Sequence, residues 1–462
     1  MSKSGGNVGI VTAALVAVAV LILVFQLVLQ AQEEIFSAGE IRTEISEGVD
    51  LAVVGGTTAA LLVAQEAAEH GASVFIFPHG QELGGDCRFL VEEGLAAIGT
   101  PPQREMGLQL TAAEFKNLIR QRGGDINKPL LLEYFGDDAE QFYSRAEKRS
   151  EILFDTLPLA DRNPYLHFSS FLDPAATFKG KMLADLERSG VIFRSETIKE
   201  INFSPQGRVE SLSLEGDEGK GSLLFLQGLI LADGGYSGDI SRWHEFFPQG
   251  DNYIQPRPSQ ENYGLQLAAD QGANIIQTGF FNKRIILYPP QHDEHFSLPE
   301  WSLEEALLVN SAGEILNGNQ FEADRLFSFV LNSPADEVYV IMSEETALDV
   351  AEPDFFRIYE ELEEVTEAYS LAEPGNMQEM GLPAPPYYIA PVKCGVDYTL
   401  GGVAVTPSGE VLKGERIIPG LYAAGEIAGG LHGEAMLPGM ALSEALYFSR
   451  AAGRAAAEYA TR

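Results

Sequence analysis

The sequence predicts an α/β fold with a Rossmann-like domain, because one segment has the pattern of a strand–helix–strand unit. Val49-Asp-Leu-Ala-Val-Val54 and Gly71-Ala-Ser-Val-Phe-Ile-Phe77 are short apolar runs typical of buried parallel strands. Between them the turn Gly55-Gly-Thr-Thr-Ala-Ala60 leads into a helix that is predicted to continue to Glu69. A glycine-rich turn at a helix N-terminus is where a Rossmann-like fold binds a pyrophosphate. A plain parallel α/β core is the alternative interpretation.

This turn departs from the Gly-x-Gly-x-x-Gly pattern of dinucleotide-binding folds. Gly55 stands at the first position, whereas Thr57 and Ala60 stand at the second and third. An acidic residue at the end of the second strand would hold the adenosine ribose, but Pro78 stands there. On this segment alone, dinucleotide binding and a plain α/β core are equally supported.

Length and charge limit the classes of function. A chain of 462 residues is long enough for two or three domains. Its formal net charge is −36, and a surface that acidic repels phosphate backbones, so nucleic acid is not expected as a partner. No Cys-x-x-Cys motif is present, which excludes a four-cysteine zinc or iron–sulfur site and a Cys-x-x-Cys-His haem attachment. No metal site is predicted.

Residues 8–29 predict one N-terminal transmembrane helix. The run carries no charge and is long enough to cross the bilayer core. Lys3 precedes it, and an acidic linker at residues 31–48 follows it. Because basic residues favour the cytoplasmic side, the expected protein is a single-pass membrane protein with an extracytoplasmic body. A cleaved signal peptide is the alternative.

A second group of small residues near the C-terminus predicts the other half of a flavin site. It comprises Tyr398-Thr-Leu-Gly-Gly402, Pro419-Gly-Leu-Tyr-Ala-Ala-Gly-Glu426 and Gly429-Gly-Leu-His-Gly433, followed by a helix from about Ala441. Small residues let a backbone press against a ring system, and an acidic residue can hold a polyol chain. A helix N-terminus can face the partly negative pyrimidine edge of a flavin.

Together these segments resemble the FAD-dependent oxidoreductase 2 family, which includes fumarate reductase and succinate dehydrogenase flavoproteins and 3-ketosteroid dehydrogenases. The resemblance implies non-covalent FAD and a Rossmann-like FAD-binding domain with an inserted α+β capping domain. The implied boundaries are an anchor at 1–30, a linker at 31–48, the two parts of the FAD-binding domain at 49–246 and 393–462, and the capping (substrate) domain at 247–392.

The resemblance also implies a set of cofactor-binding residues. Glu426 would contact the ribityl chain, and the glycines would permit close backbone approach; ordinary turn glycines are the alternative for each one singly. The implied set is Gly55, Gly56, Thr57, Gly84, Gly85, Asp86, Cys87, Ile198, Gly401, Gly402, Gly425, Glu426, Gly439, Ala441 and Leu442.

The residues that handle a dicarboxylate in fumarate reductases are not matched. Where that family has two histidines, this chain has Asp397-Tyr398, and where it has a clamp arginine, this chain has Met436. The cap His-Pro of the family corresponds to Tyr288-Pro289, and its Thr-Glu-x-x-Arg proton relay corresponds to Leu298, Pro299 and Ser302. Two substrate carboxylates bound without arginine or histidine would remain uncompensated in a low-dielectric site. The sequence therefore predicts a substrate less charged than fumarate.

Three residues are candidates for catalysis. Tyr398 beside the flavin could donate a proton or hydrogen-bond a carbonyl oxygen, as a tyrosine does in ketosteroid dehydrogenases, or it could be a packing aromatic. Asp397 could serve as a base or face solvent. Arg325 falls near the catalytic arginine of fumarate reductases, and a structural salt bridge is the alternative. His432 is expected near the flavin, as scaffold.

The predicted function is an oxidoreductase that transfers a hydride between FAD and a carbon next to a carbonyl, acting on CH–CH bonds. A small-molecule substrate and a separate electron carrier are the expected partners. A non-catalytic binding or scaffold protein is the alternative, since Thr57 and Pro78 weaken the fingerprint. The resemblance places Cys87 and Cys394 in loops that flank the flavin, where a disulfide would require close Cα atoms; two buried thiols are the alternative.

Overall fold

The computed structural model describes most of the chain from residue 44 onward. The described residues are 44–45, 48–157, 163–170, 173–216, 219, 221–247, 253, 263–289, 291, 296–299, 302–303, 306–312, 314–317, 323–333, 338–369, 381 and 383–462. The predicted anchor at residues 8–29 lies outside them. Within the described ranges, no helix combines the length and the apolar character needed to cross a bilayer.

Strands and helices alternate in the first part of the chain, and strands dominate the middle. The strands are β1 Glu44–Ile45, β2 Val49–Val54, β3 Val74–Phe77, β4 Leu95–Ala96, β5 Leu166–His167, β6 Ile192–Phe193, β7 Thr197–Phe203, β8 Val209–Glu215, β9 Gly221–Leu231, β10 Ile275–Ile276, β11 Phe281–Leu287, β12 Phe296–Ser297, β13 Leu307–Asn310, β14 Ile315–Asn317, β15 Val338–Met342, β16 Arg357–Tyr359, β17 Tyr387–Thr399, β18 Gly402–Ala404, β19 Glu410–Lys413, β20 Arg416–Ala423 and β21 Ala428–Gly429. The helices are α1 Thr58–Glu69, α2 Cys87–Glu92, α3 Pro101–Glu105, α4 Ala112–Arg122, α5 Pro129–Asp138, α6 Phe142–Ser150, α7 Pro174–Arg188, α8 Ile240–Phe246, α9 Tyr263–Asp270, α10 Ala323–Asn332, α11 Glu344–Val350, α12 Leu362–Tyr369 and α13 Met440–Ala460.

The main sheet has the order β19-β20-β9-β2-β3-β6, and its central strands are parallel. The apolar run of β2 is buried because helices α1 and α13 pack against each other and against this strand. The predicted Rossmann-like unit is therefore present. Strands β7 and β8 extend the sheet as an antiparallel pair joined to β9.

A second sheet lies mostly within the predicted capping segment at 247–392 and has the order β12-β11-β17-β15-β13-β14, with β16 also paired to β17. Its neighbouring strands are antiparallel, and α10, α11 and α12 lie between them along the chain. Strand β17 is 13 residues long. Its first half pairs with β15, and its second half pairs with β11 and ends just before Gly401. One continuous strand therefore runs from the second sheet to the glycine-rich segment at 401–402.

Candidate functional site

The turn after β2 brings two strand ends into close contact. Gly55 has φ +119°, and a Cβ on it would lie 2.4 Å from the carbonyl oxygen of Ala232, at the end of β9. Thr57 is the N-cap of α1: its hydroxyl accepts from Ala60 N at 3.1 Å and donates to Ala232 O at 2.6 Å. A threonine in place of the second glycine therefore ties the turn to β9.

Polar side chains of this chain meet the amide groups of the same turn. Gly56 N donates to Gln81 Oε1 at 2.7 Å, and Gln81 Nε2 donates to the carbonyl of Asp233 at 2.9 Å. Thr58 N, in the first turn of α1, donates to Asp86 Oδ1 at 2.7 Å. A carboxylate at this position shows that the N-terminus of α1 accepts an anionic group, as a diphosphate site requires.

Asp233 was not among the sequence-predicted site residues. It follows β9, is 2% exposed, and accepts a hydrogen bond from Gly264 N at Oδ2 over 2.6 Å. Its Oδ1 is buried and has no hydrogen-bond partner among the described residues. Burial raises the pKa of this carboxyl from 3.8 to about 7. The available signal was an aspartate inside the small-residue turn Ala232-Asp-Gly-Gly235.

The predicted adenine-side residue Ile198 lies buried on β7 and presents its carbonyl to another side chain. The Tyr263 hydroxyl, at the start of α9, donates to Ile198 O. The Tyr263 ring stacks on His79, with the ring centroids 4.8 Å apart. The Ile198 carbonyl and the paired rings of Tyr263 and His79 are therefore engaged within the protein, and the contact of Ile198 with the cofactor stays a prediction.

Glu426 is buried where β17 and β20 end. Its Oε1 accepts from Thr399 N at 2.8 Å and from the Thr399 hydroxyl at 3.0 Å. A Cβ on Gly235 would lie 2.1 Å from the same oxygen, so the glycine is needed for this approach. Glu426 therefore faces the turn after β9, and its contact with the ribityl chain stays a prediction.

Several of the remaining predicted glycines lie close to other segments of the protein, and their approach to the cofactor stays a prediction. A Cβ on Gly401 would lie 2.3 Å from Gln277 O, and one on Gly402 would lie 2.1 Å from Ile427 O. Gly425 and Gly439 both have positive φ. Ala441 and Leu442 are buried in the first turn of α13, and Gly84, Gly85 and Cys87 lie in the turn and helix that follow Gln81.

Tyr398 belongs to a buried group that we call the Tyr398 cluster, made of Tyr398, Glu444 and His432. The tyrosine hydroxyl donates to Glu444 Oε2 at 2.6 Å, and His432 Nε2 lies 2.9 Å from the same oxygen. The three residues are 3%, 0% and 2% exposed. Glu444 Oε1 and His432 Nδ1 have no hydrogen-bond partner within the described part of the chain. Tyr398 therefore packs in the core and also places its hydroxyl on a buried carboxylate, so both its predicted roles remain to be distinguished by experiment.

Glu444 was missed by sequence reasoning. It lies on α13 and reads as an ordinary helical glutamate, although apolar residues surround it at helical spacing: Met440, Ala441, Tyr447 and Phe448. A carboxylate on an otherwise apolar helix face is the signal that could have found it, since a buried charge needs partners.

Asp397 does not face solvent; it belongs to an ion-pair group that we call the Arg284 network. Asp397 Oδ2 accepts from Arg284 Nε at 2.6 Å, and its Oδ1 accepts from Asn282 Nδ2 at 2.9 Å. Arg284 also pairs with Glu93, which follows α2. The pairing of β11 with β17 shifts register between Asn282 and Lys283, so Asp397 is the extra residue of a β-bulge. The predicted base is therefore held as an ion-pair partner.

Arg325 and the two cysteines lie elsewhere. Arg325 is exposed on α10, whereas Tyr398 and Asp397 are buried, so the structure does not bring it into either cluster. Cys87 and Cys394 are free thiols in separate apolar clusters, where their sulfurs contact the carbonyls of Ala175 and Phe327. Burial raises the pKa of each thiol to about 12. No disulfide joins them.

The FAD binding domain family matches residues 50–442 of this chain. The chain belongs to this family. Among relatives, it is 24% identical over 455 residues to NADH:fumarate oxidoreductase of Klebsiella pneumoniae, covering 89% of this chain and 48% of that protein. It is 22% identical over 449 residues to fumarate reductase (cytochrome) of Shewanella frigidimarina, covering 90% and 78%. The chain thus spans about half the length of the first relative.

Solved structures show the same fold. The open conformation of a flavocytochrome c3 fumarate reductase superimposes with a TM-score of 0.77 at 19% identity, covering 94% of this chain and 81% of that one. A 3-ketosteroid-Δ4-(5α)-dehydrogenase from Rhodococcus jostii gives 0.66 at 17% identity, covering 90% and 98%. FAD is the cofactor of this family, and the anion-accepting turn, the buried Glu426 and the Asp233 carboxyl oxygen without a partner fit it.

Proposed function

We propose that this chain is an FAD-dependent oxidoreductase that transfers a hydride between the flavin and a carbon next to a carbonyl, in a substrate less charged than fumarate. The Tyr398 cluster carries this proposal. Tyr398 immediately precedes Thr399, whose amide and hydroxyl contact Glu426. A buried phenol with a carboxylate on its hydroxyl therefore lies one residue from Thr399, which contacts Glu426, the predicted ribityl-binding residue. The relatives are named as oxidoreductases and reductases, and a non-catalytic role has no support from them.

When bound, FAD supplies the hydride chemistry, and the chain's own residues manage the proton. Tyr398 Oη holds a proton that it donates to substrate, or takes one back when the reaction runs in reverse. In the resting protein the single hydroxyl proton of Tyr398 is donated to Glu444 Oε2, so transfer to a substrate requires the hydroxyl to turn from this carboxylate to the substrate. His432 Nε2 shares the same oxygen, so the carboxylate is balanced from a second side. The burial of all three keeps water from competing for the proton.

The charge of the neighbouring residues favours a weakly charged substrate. Arg284 is buried, but Asp397 and Glu93 both pair with it. One guanidinium against two carboxylates leaves no net positive charge for a substrate carboxylate, and a dicarboxylate would add repulsion. At the position of the family's clamp arginine, Met436 is 3% exposed and apolar.

Turnover of α,β-unsaturated ketones and of fumarate by the full chain, with a reduced dye as electron donor, tests this proposal. We expect kcat/KM for the ketones to exceed that for fumarate by at least about tenfold, because only the dicarboxylate must be bound against uncompensated charge. 2-Enoates, with one carboxylate, should lie between the two. A preference for fumarate would overturn the assignment of the substrate class, and failure of every substrate to oxidise the reduced flavin would overturn the activity itself.

We also propose that residues 8–29 anchor the protein in a membrane with the body outside the cytoplasm, and that electrons pass to or from a separate carrier. The uncharged run supports the anchor. The full chain should stay with carbonate-washed membranes, while a variant that begins at residue 48 should not. Recovery of the full chain in the supernatant would contradict the anchor.

A further inference from the structure

Asp233 lies where the turn after β2 meets the end of β9. A Cβ on Gly55 would be 2.6 Å from the Asp233 Cα, so the aspartate directly adjoins the turn that receives a diphosphate. Gln81, which accepts from Gly56 N in that turn, also donates to the Asp233 carbonyl. The position is therefore inside the cofactor cradle.

The Asp233 carboxyl is buried, and only one of its two oxygens has a hydrogen-bond partner among the described residues. Oδ2 accepts from Gly264 N at the start of α9, over 2.6 Å. A Cβ on Gly264 would lie 2.3 Å from Asp233 Oδ1, so the start of α9 packs closely against the turn after β9. Oδ1 itself has no hydrogen-bond partner among the described residues, although it is buried.

No cation is hydrogen-bonded or ion-paired to this carboxyl in the described part of the chain. The titratable groups on the elements packed around it are Tyr236, Tyr263, His79, Asp86 and Glu426. Burial raises the pKa of both tyrosines and lowers that of His79, so these three are neutral near pH 7. Asp86 and Glu426 are hydrogen-bonded to threonines. The hydrogen bond from Gly264 N favours the ionised carboxyl of Asp233, but the cost of burying the charge is larger, so the pKa of Asp233 is raised.

A diphosphate brings two further negative charges to the same turn. Two anionic groups in a buried site cannot both stay ionised without a cation between them. We propose that Asp233 binds FAD as a neutral carboxylic acid, donating a hydrogen bond from its second oxygen to the cofactor, and that FAD binding takes up one proton at this residue.

The direction of the pH effect follows from the Asp233 carboxyl. Its pKa in the free protein is about 7, and the charge of the diphosphate raises it further in the complex. At about pH 6 the carboxyl is already protonated, so FAD affinity is independent of pH. Above pH 7 each binding event brings a proton, and Kd rises up to about tenfold per pH unit until the pKa of the complex is passed.

Titration of full-length apoprotein with FAD tests this inference by a binding signal that does not require turnover. Flavin fluorescence quenching gives Kd between pH 6 and 9, and calorimetry in two buffers of different ionisation enthalpy counts protons. We expect uptake close to one proton per FAD near pH 8.5 and close to none near pH 6. Asp233→Asn keeps a hydrogen-bond donor and should bind FAD with no uptake from this site and a flat Kd. Asp239→Asn, at the N-cap of α8, is the control and should behave as the wild type.

Equal pH dependence in the wild type and Asp233→Asn would overturn the proposal. So would zero uptake in the wild type near pH 8.5, which would mean that ionised Asp233 accepts from a hydroxyl of the cofactor. If Asp233→Asn does not fold, the wild-type proton count alone decides. If the wild type does not bind FAD at any pH, the proposal about Asp233 is also overturned. Because none of these readouts involves a substrate, the substrate proposal can fail or succeed independently.

Discussion

Tyr398→Phe is expected to lower kcat by about 10²- to 10³-fold while leaving FAD bound, because it removes a proton donor and retains the ring. The hydroxyl donates its single proton to Glu444 Oε2 at 2.6 Å in the resting protein, and the phenylalanine variant has no proton to give to this carboxylate or to a substrate. The phenylalanine ring can keep the existing contacts with Phe89 and His432, whose ring centroids lie 6.4 and 6.0 Å from that of Tyr398. Turnover with the best substrate and the visible flavin absorbance together measure the effect.

Tyr447→Phe is the matched control for this prediction. Tyr447 lies on α13 three residues after Glu444 and donates to Pro407 O, away from the cluster. Tyr447→Phe should therefore change kcat by less than about twofold. Glu444→Gln should shift the pH profile of kcat, because this variant removes the carboxylate and retains the helix. Wild-type turnover by Tyr398→Phe would show that the tyrosine only packs.

Arg284→Ala is expected to destabilise the fold by about 3–5 kcal/mol, because it leaves two buried carboxylates without their cation. The side chains of Arg284, Asp397 and Glu93 are 4%, 0% and 9% exposed, so water cannot replace the lost partner. Asp397 keeps its hydrogen bond from Asn282 Nδ2, which carries no charge. Urea unfolding of the FAD-bound protein, followed by tryptophan fluorescence and flavin release, measures the change.

An exposed pair provides the comparison for this variant. Arg120 pairs with Asp125, and their side chains are 49% and 64% exposed, so Arg120→Ala should unfold close to the wild type. The triple variant Arg284→Met, Asp397→Asn, Glu93→Gln should recover stability, since it removes the charges together. A loss of less than about 1 kcal/mol for Arg284→Ala would show that the network does not join cap and body energetically.

The sequence by itself determined the parallel α/β unit at β2, α1 and β3, because apolar strand runs and a glycine-rich turn are local signals. It also indicated helices at 114–120 and 141–153, which the structure has as Ala112–Arg122 and Phe142–Ser150. The FAD family could be recognised from motifs, and the matched family covers residues 50–442. The run at 190–203, predicted as strand, is divided between β6 and β7.

Only the tertiary structure decided the partners of the candidate catalytic residues. Tyr398 and Glu444 are 46 residues apart, and Arg284 and Asp397 are 113 apart. The β-bulge between β11 and β17 brings Asn282 and Arg284 to the Asp397 carboxylate. The hydrophobic pattern of one strand does not predict where a bulge will form. Local patterns report on neighbours along the chain, whereas the charge state of a buried carboxyl such as Asp233 depends on which distant segments enclose it.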